Sequence, residues 1–177
     1  ELRADLLDIT DKTAYDLRNL NNHNIEVATS EFSDTRDFYA IINNCNYFIS
    51  RADTNITVRV DKPFVREMLA VRTIRAWTYL QLGLNYGKVR YFDKPILSVD
   101  DLKSDYSELD TDQLIDTLIA EVLSLNPLTN NTLPMYTGNI AFINPLFLLG
   151  DLYLWKASRS QLQSDFENAA FYYSKLI

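Results

Sequence analysis

The chain has 177 residues, 47% of them hydrophobic and 23% charged, the composition of a domain with its own core rather than of a disordered segment. Its formal net charge of −7 sets the surface against polyphosphate, and no basic stripe offsets it locally, so nucleic acid is not expected as a partner. Four glycines and five prolines are few for this length and favour long regular elements over loop-rich β architecture.

The stretch from Leu2 to Thr35 is polar and rich in Asn and Asp. Leu2, Leu6 and Ile9, then Tyr15, Leu17 and Leu20, fit short helices in a region that is otherwise loop. From Asp34 the pattern sharpens. Phe38, Ile41, Ile42, Cys45, Phe48 and Ile49 recur at three- and four-residue steps, predicting a helix over 34–53 capped by Ser33 or Asp34. A second helix is predicted over 61–86, with Pro63 in its first turn and Gly87 as its left-handed stop. Its apolar residues wrap most of the circumference, which requires neighbours on several sides.

Lys88 to Leu109 reads as a long connection with extended pieces at Val89–Phe92 and Pro95–Val99 and an acidic run. Asp110 with Gln113 is a capping box for a helix carrying Leu114, Leu118, Val122 and Leu125, stopped by Pro127. Asn144–Pro145 opens a helix over 145–159, and Ser164 with Glu167 reads as a second capping box for a helix over 165–177. The predicted class is all-α: two antiparallel hairpins, 34–53 with 61–86 and 145–159 with 165–177, with long irregular loops. The small-then-aromatic spacing of Ala169 and Tyr173 fits tetratricopeptide-type stacking. One such pair buries too little surface to stand alone, so further repeats are expected. The chain opens on Glu1 and stops at Ile177 within a helical pattern, so residues 1–177 read as a single domain that is a fragment of a longer protein.

Few residues suggest chemistry. His23 is the only histidine, in a polar loop, and Cys45 is the only cysteine, on an apolar helix face where a thiol acts as a small hydrophobe. No nucleophile elbow, phosphate loop, dinucleotide fingerprint or zinc-ligand cluster occurs, so no catalytic residue, metal or cofactor is expected. The acidic run Asp100, Asp101, Asp105, Glu108, Asp110 and Asp112 lacks the spacing of a calcium loop and reads as solvation and helix-dipole complement. Aromatics make up 12% of the chain. Those on helices (Phe48, Trp77, Tyr79, Tyr153, Phe166) are expected in the core. Those in loops (Phe32, Tyr91, Phe92, Tyr106, Tyr136) are the better candidates for stacking on a sugar or a partner. Asn55-Ile56-Thr57 and Asn130-Asn131-Thr132 match a glycosylation sequon, a pattern short enough to arise by chance.

The long helix carries a resemblance. Ile74-Arg75-Ala76-Trp77-Thr78-Tyr79-Leu80, continuing to Tyr86-Gly87-Lys88-Val89, resembles the signature helix of the SusD/RagB family. Phe38 to Asn46 resembles that family's earlier Tyr-x-x-Ile-x-x-x-Asn helix, here Tyr39, Ile42 and Asn46. Pro145 to Leu154 is similar to its later Leu-rich repeat helix, and Leu2-Arg3-Ala4-Asp5 to its Arg-x-Asp segment. Two positions depart from the pattern. Arg90 stands where the family has proline, and Ala70 where it has an acidic residue, for which Glu67 is a stand-in one turn earlier.

The resemblance implies a SusD-like fold with tetratricopeptide-like hairpins in the N-terminal half. It implies a non-enzymatic lipoprotein on the outer-membrane surface of Bacteroidetes-type bacteria, anchored by a lipid on an N-terminal segment. Such a protein captures oligosaccharide or peptide and delivers it to a TonB-dependent SusC-like transporter. By position, the implied ligand contacts are Arg3, Asp5, Asn22, Asn24 and Phe32. The alternatives are a helical-repeat scaffold that binds peptides and a helical glycoside hydrolase.

Overall fold

The computed structural model describes residues 8–22, 33–56, 63–126 and 143–176. They are mostly helical, and the chain divides into two compact units, residues 1–37 and 38–177. In the first, α1 (Tyr15–Asn21) is short, and Arg18 ties its entry down by donating through Nε to the Thr13 carbonyl at 2.8 Å. The earlier helix expected on Leu2 and Leu6 falls outside the described residues.

Local chemistry sets the ends of the remaining helices. α2 (Arg36–Arg51) begins where Asp34 accepts the Arg36 backbone N–H at 2.9 Å, as its sequence predicts. α3 (Pro63–Tyr86) ends at Gly87, whose φ of +80° is open to glycine without strain and lets its N–H reach the Gly83 carbonyl at 2.9 Å. β1 (Val89–Arg90) pairs antiparallel with β2 (Glu108–Leu109), Val89 opposite Leu109 and Arg90 opposite Glu108. Pro95–Val99, the other extended piece, pairs with no strand among the described residues and is held instead by Asn43 of α2 and by Asp101.

α4 (Thr111–Leu123) opens on the expected capping box. Asp110 accepts the Gln113 N–H at 2.9 Å, and Gln113 accepts the Asp110 N–H at 3.2 Å. α5 (Pro145–Ser160) opens with Asn144 accepting the Leu146 N–H at 2.8 Å. α6 (Gln163–Ser174) departs from expectation. It starts at Gln163, ahead of Ser164, and the Ser164–Glu167 box does not form. The reason lies in the turn before it. Gln161 takes a left-handed conformation at φ 57°, and Ser160 then accepts the Leu162 N–H at 3.2 Å and donates to Asp165 at 2.7 Å. Pinned this tightly, the turn fixes the start of α6 without a side-chain cap.

Cross-links between helices give their directions. Phe38 meets Tyr86 and Asn46 meets Arg75 between α2 and α3. Arg72 meets Ser124, and Thr111 meets the Gly87 carbonyl, between α3 and α4. Asp112 and Asp116 pair with Arg159 and Lys156 between α4 and α5, and Asp151 pairs with Tyr173 between α5 and α6. From α2 to α6, each helix therefore runs antiparallel to the next. The 145–159/165–177 hairpin forms as expected. α2 meets α3 through long side chains, not by close backbone approach, and α4 is not an outlier to two hairpins but the shared neighbour of α3 and α5.

Tyr79, Leu80, Leu82, Leu114, Leu118, Leu148, Leu149 and Leu152 fill the common core. The helical aromatics split. Tyr79 is fully buried, Phe48 and Tyr153 are half-buried, and Trp77 and Phe166 are 40% and 38% exposed. Burial depends on which neighbour covers a residue, which periodicity along one helix does not specify.

Gly150 permits the closest helix contact. A Cβ there would lie 2.6 and 2.7 Å from Cδ1 and Cζ of the Tyr173 ring, and that ring is held by its hydroxyl, 2.5 Å from Asp151. Gly150→Ala should therefore destabilise the protein by about 1–3 kcal/mol despite alanine's better helix propensity. Gly83→Ala meets only the flexible end of Leu114 and should cost less. Urea denaturation of both variants measures the difference.

Candidate functional site

Three polar side chains on otherwise apolar helix faces build the centre of the larger unit. Asn46 on α2 and Arg75 on α3 are 0% and 5% exposed. Buried polar groups require partners, and these find them in one another and in the chain that follows β1. Arg75 donates through Nη1 to Asn46 Oδ1 and through Nη2 to Glu121 of α4, a pair whose side chains are 6% and 7% exposed. Burial opposes the guanidinium's charge, but the Glu121 carboxylate outweighs it and holds the Arg75 pKa above its usual value. Glu121 also accepts from the Tyr91 hydroxyl at 3.2 Å. Arg75 Nε is buried with no hydrogen-bond partner among the described residues.

Asn46 turns its amide N–H outward to the Phe92 carbonyl at 3.0 Å and the Lys94 carbonyl at 3.3 Å. One turn earlier, Asn43 makes a two-way bond with Ile96, donating at 2.9 Å and accepting at 2.7 Å, as a neighbouring strand would. The Tyr39 hydroxyl accepts the Arg90 N–H at 3.0 Å. The Tyr79 hydroxyl donates to the Phe92 carbonyl at 2.9 Å and accepts its N–H at 3.0 Å. Side chains of two helices thus satisfy peptide groups of Arg90, Phe92, Lys94 and Ile96. Around it Phe92 packs against Tyr39, Tyr79 and Tyr106, with ring centroids 5.4 to 6.4 Å apart. Burial pushes the phenols of Tyr39, Tyr79 and Tyr91 upward, Tyr91 to about 12 with Glu121 adding to the shift.

Two clefts open among the described residues. One, of about 440 Å³, is lined by Arg90, Ser104, Asp105, Tyr106, Ser107 and Glu108, where β1 and β2 meet the acidic connection. The other, of about 210 Å³, lies between α4 and α5 and is spanned by the Asp112–Arg159 and Asp116–Lys156 pairs.

The acidic run mostly serves structure. Asp101 accepts the Leu97 and Ser98 N–H groups, each at 2.8 Å, and these bonds hold its carboxyl below the usual range. Asp100 pairs with Lys103 at 2.6 Å, Asp110 caps α4, and Asp112 is lowered by Arg159. No group of three or more His, Cys, Asp and Glu disposed to hold a metal occurs among the described residues. Cys45 is buried, and burial pushes its thiol up and away from the reactive thiolate.

The ligand contacts implied by the resemblance are not brought together here. Arg3, Asp5, Asn24 and Phe32 lie outside the described residues, as do His23, Tyr136, Thr57 and the Asn130 sequon. Asn22 is the C-terminal cap of α1, where its backbone N–H donates to the Arg18 and Leu20 carbonyls. Tyr91 and Phe92, expected to be free for stacking, are committed to the network and the core. Glu67, the stand-in for the acid missing at Ala70, makes no polar contact with Arg75 among the described residues. Its Oε2 is buried without a partner among the described residues, and α4 provides Glu121 instead. Compared with family models, curated proteins and solved structures, the chain finds no match. Among the described residues no helix is long and apolar enough to cross a membrane.

Sequence reasoning passed over the network itself. The signal was present: asparagine at positions 43 and 46, on or beside the apolar face of α2, and arginine in a helix apolar all round, mark polar groups that need buried partners.

Removing one partner of a buried pair strands the other charge. Glu121→Ala should cost about 3–5 kcal/mol in urea denaturation, whereas Asp112→Ala, at an exposed pair, should change stability little. Above pH 10 the unfolded chain loses phenol protons that the folded chain retains, so stability falls as pH rises. For Tyr91 that loss runs from about 10 to about 12. Tyr91→Phe should flatten that limb of a stability–pH profile.

Proposed function

We propose that this chain is the N-terminal helical part of a SusD/RagB-like, non-catalytic binding protein on the outer-membrane surface. In this reading it is lipid-anchored, its antiparallel helices are tetratricopeptide-like hairpins, and it delivers oligosaccharide to a TonB-dependent SusC-like transporter. One observation carries the reading. Residues of the two strongest motifs, Tyr39 and Asn46 on one helix and Arg75 and Tyr79 on the other, converge on a single stretch of chain. Matches in two separate segments are thereby joined into one physical unit, because each motif satisfies polar groups that the other leaves buried.

Of the carboxylates that a helical glycosidase would draw on, Asp110 caps a helix and Asp112 is ion-paired, which leaves Asp105 and Glu108. A peptide-binding helical scaffold is the second reading, favoured by the antiparallel array α3 to α6 and by the half-exposed Phe147, Trp155 and Phe171 along it.

Purification of the intact, tagged protein from detergent-solubilised outer membranes discriminates between them. We expect a β-barrel transporter of the TonB-dependent class to co-purify in near-stoichiometric amount, identified by mass spectrometry. Recovery of the protein from the soluble fraction with no barrel attached would overturn the transport reading and leave the scaffold.

A further inference from the structure

The cleft beside β1 and β2 holds polar groups that the fold does not use. Arg90 and Glu108 are directly opposite in the two-stranded pairing, yet neither forms an ion pair among the described residues. The side chains of Ser104, Asp105 and Ser107 likewise make no hydrogen bond among the described residues, and all five are exposed. Their neighbours behave differently: Asp100, Asp101, Asp110 and Asp112 each have a cation or backbone N–H groups in hand.

The backbone under these groups is fixed. The Arg90 N–H is held by Tyr39, and the Tyr91 N–H reaches the Ser107 carbonyl at 2.9 Å. Tyr106 is anchored through its hydroxyl to the Asp101 carbonyl at 2.7 Å, and its ring packs on Phe92. The free groups therefore stand on a rigid base, which limits the ordering cost of binding.

Resting on the transport reading above, we infer that this cleft is a binding site for a neutral saccharide. Its volume of about 440 Å³ falls within the span of small-molecule sites, about 300–1,000 Å³, but its lining is polar where most such sites are apolar. A ligand that suits it must bring its own hydroxyls. Carboxylates accept from adjacent hydroxyl pairs, a guanidinium donates to two oxygens in one plane, and serine hydroxyls do either. Tyr106 supplies an aromatic ring for the apolar face of a sugar. Two carboxylates against one guanidinium leave a local negative charge, which disfavours uronates, sulfated sugars and other anions. A cationic ligand would meet Arg90.

The test is calorimetric titration of the intact protein with a panel of neutral hexasaccharides differing in sugar and linkage, alongside a uronate hexasaccharide and a neutral hexapeptide. Asp105→Asn, Glu108→Gln and Arg90→Ala are compared with Asp100→Asn, an acid outside the cleft, with folding checked by circular dichroism. We expect at least one neutral hexasaccharide to bind. Each cleft variant should weaken it about tenfold or more, the loss of one charge-assisted hydrogen bond, while Asp100→Asn leaves it unchanged. Sugar binding that all three cleft variants leave intact would overturn this site while preserving the capture of glycans. Absence of saccharide binding in a protein that still co-purifies with a transporter would overturn it too, as would tighter binding of the uronate or the peptide that depends on the same residues.

Discussion

A guanidinium placed in the middle of a helix that is apolar on every side needs a carboxylate and further acceptors, and it cannot obtain them from its own helix. Arg75 obtains the carboxylate from α4 and an amide oxygen from α2, so a single side chain fixes three helices against one another. Desolvating such a pair is expensive and its net contribution to stability is small, but any arrangement that breaks it leaves a charge stranded. The pair therefore acts mainly against alternative packings. α2 depends on it most, because its backbone does not approach that of α3 closely.

The same arrangement accounts for the irregular chain after β1. Segments without regular structure normally run over the surface, where water satisfies their peptide groups. From Arg90 to Ile96 the chain passes beside the core, with Phe92 only 8% exposed, and Asn43, Asn46, Tyr39 and Tyr79 replace the missing water. Side-chain amides and phenols are suited to this because each both donates and accepts. One consequence is a rigid rim, on which the side chains of Arg90, Asp105 and Glu108 stand without a hydrogen-bond or ion-pair partner among the described residues. Another is that aromatic residues in a connection, which composition alone would assign to ligand contact, become structural.

The resemblance to SusD/RagB proteins takes on a physical meaning in this setting. Asn46, Arg75 and Tyr79 among its motif residues are buried. They are the buried polar groups and the phenol that hold the connection in place, and the departure at Ala70 coincides with a carboxylate arriving from α4.

Much of the architecture was legible in the residues themselves. The apolar repeat on α2, the first-turn Pro63, Gly87 beyond α3, the Asp110–Gln113 box and the Asn144–Pro145 start are local signals, and local physics decides them within one or two turns of chain. The start of α6 was misread because Ser160 and Asp165 close the turn ahead of Ser164, a choice between caps that depends on how α5 ends. What only the tertiary structure decided was partnership across distance. That α4 lies between α3 and α5, that Glu121 rather than Glu67 meets Arg75, and that Phe92 is covered while Trp77 is not, all depend on residues far apart in the chain. Periodicity states which face of a helix is apolar but not what will cover it. A polar residue on that face states that it needs a partner but not which one, because the partner is selected by the packing of the whole.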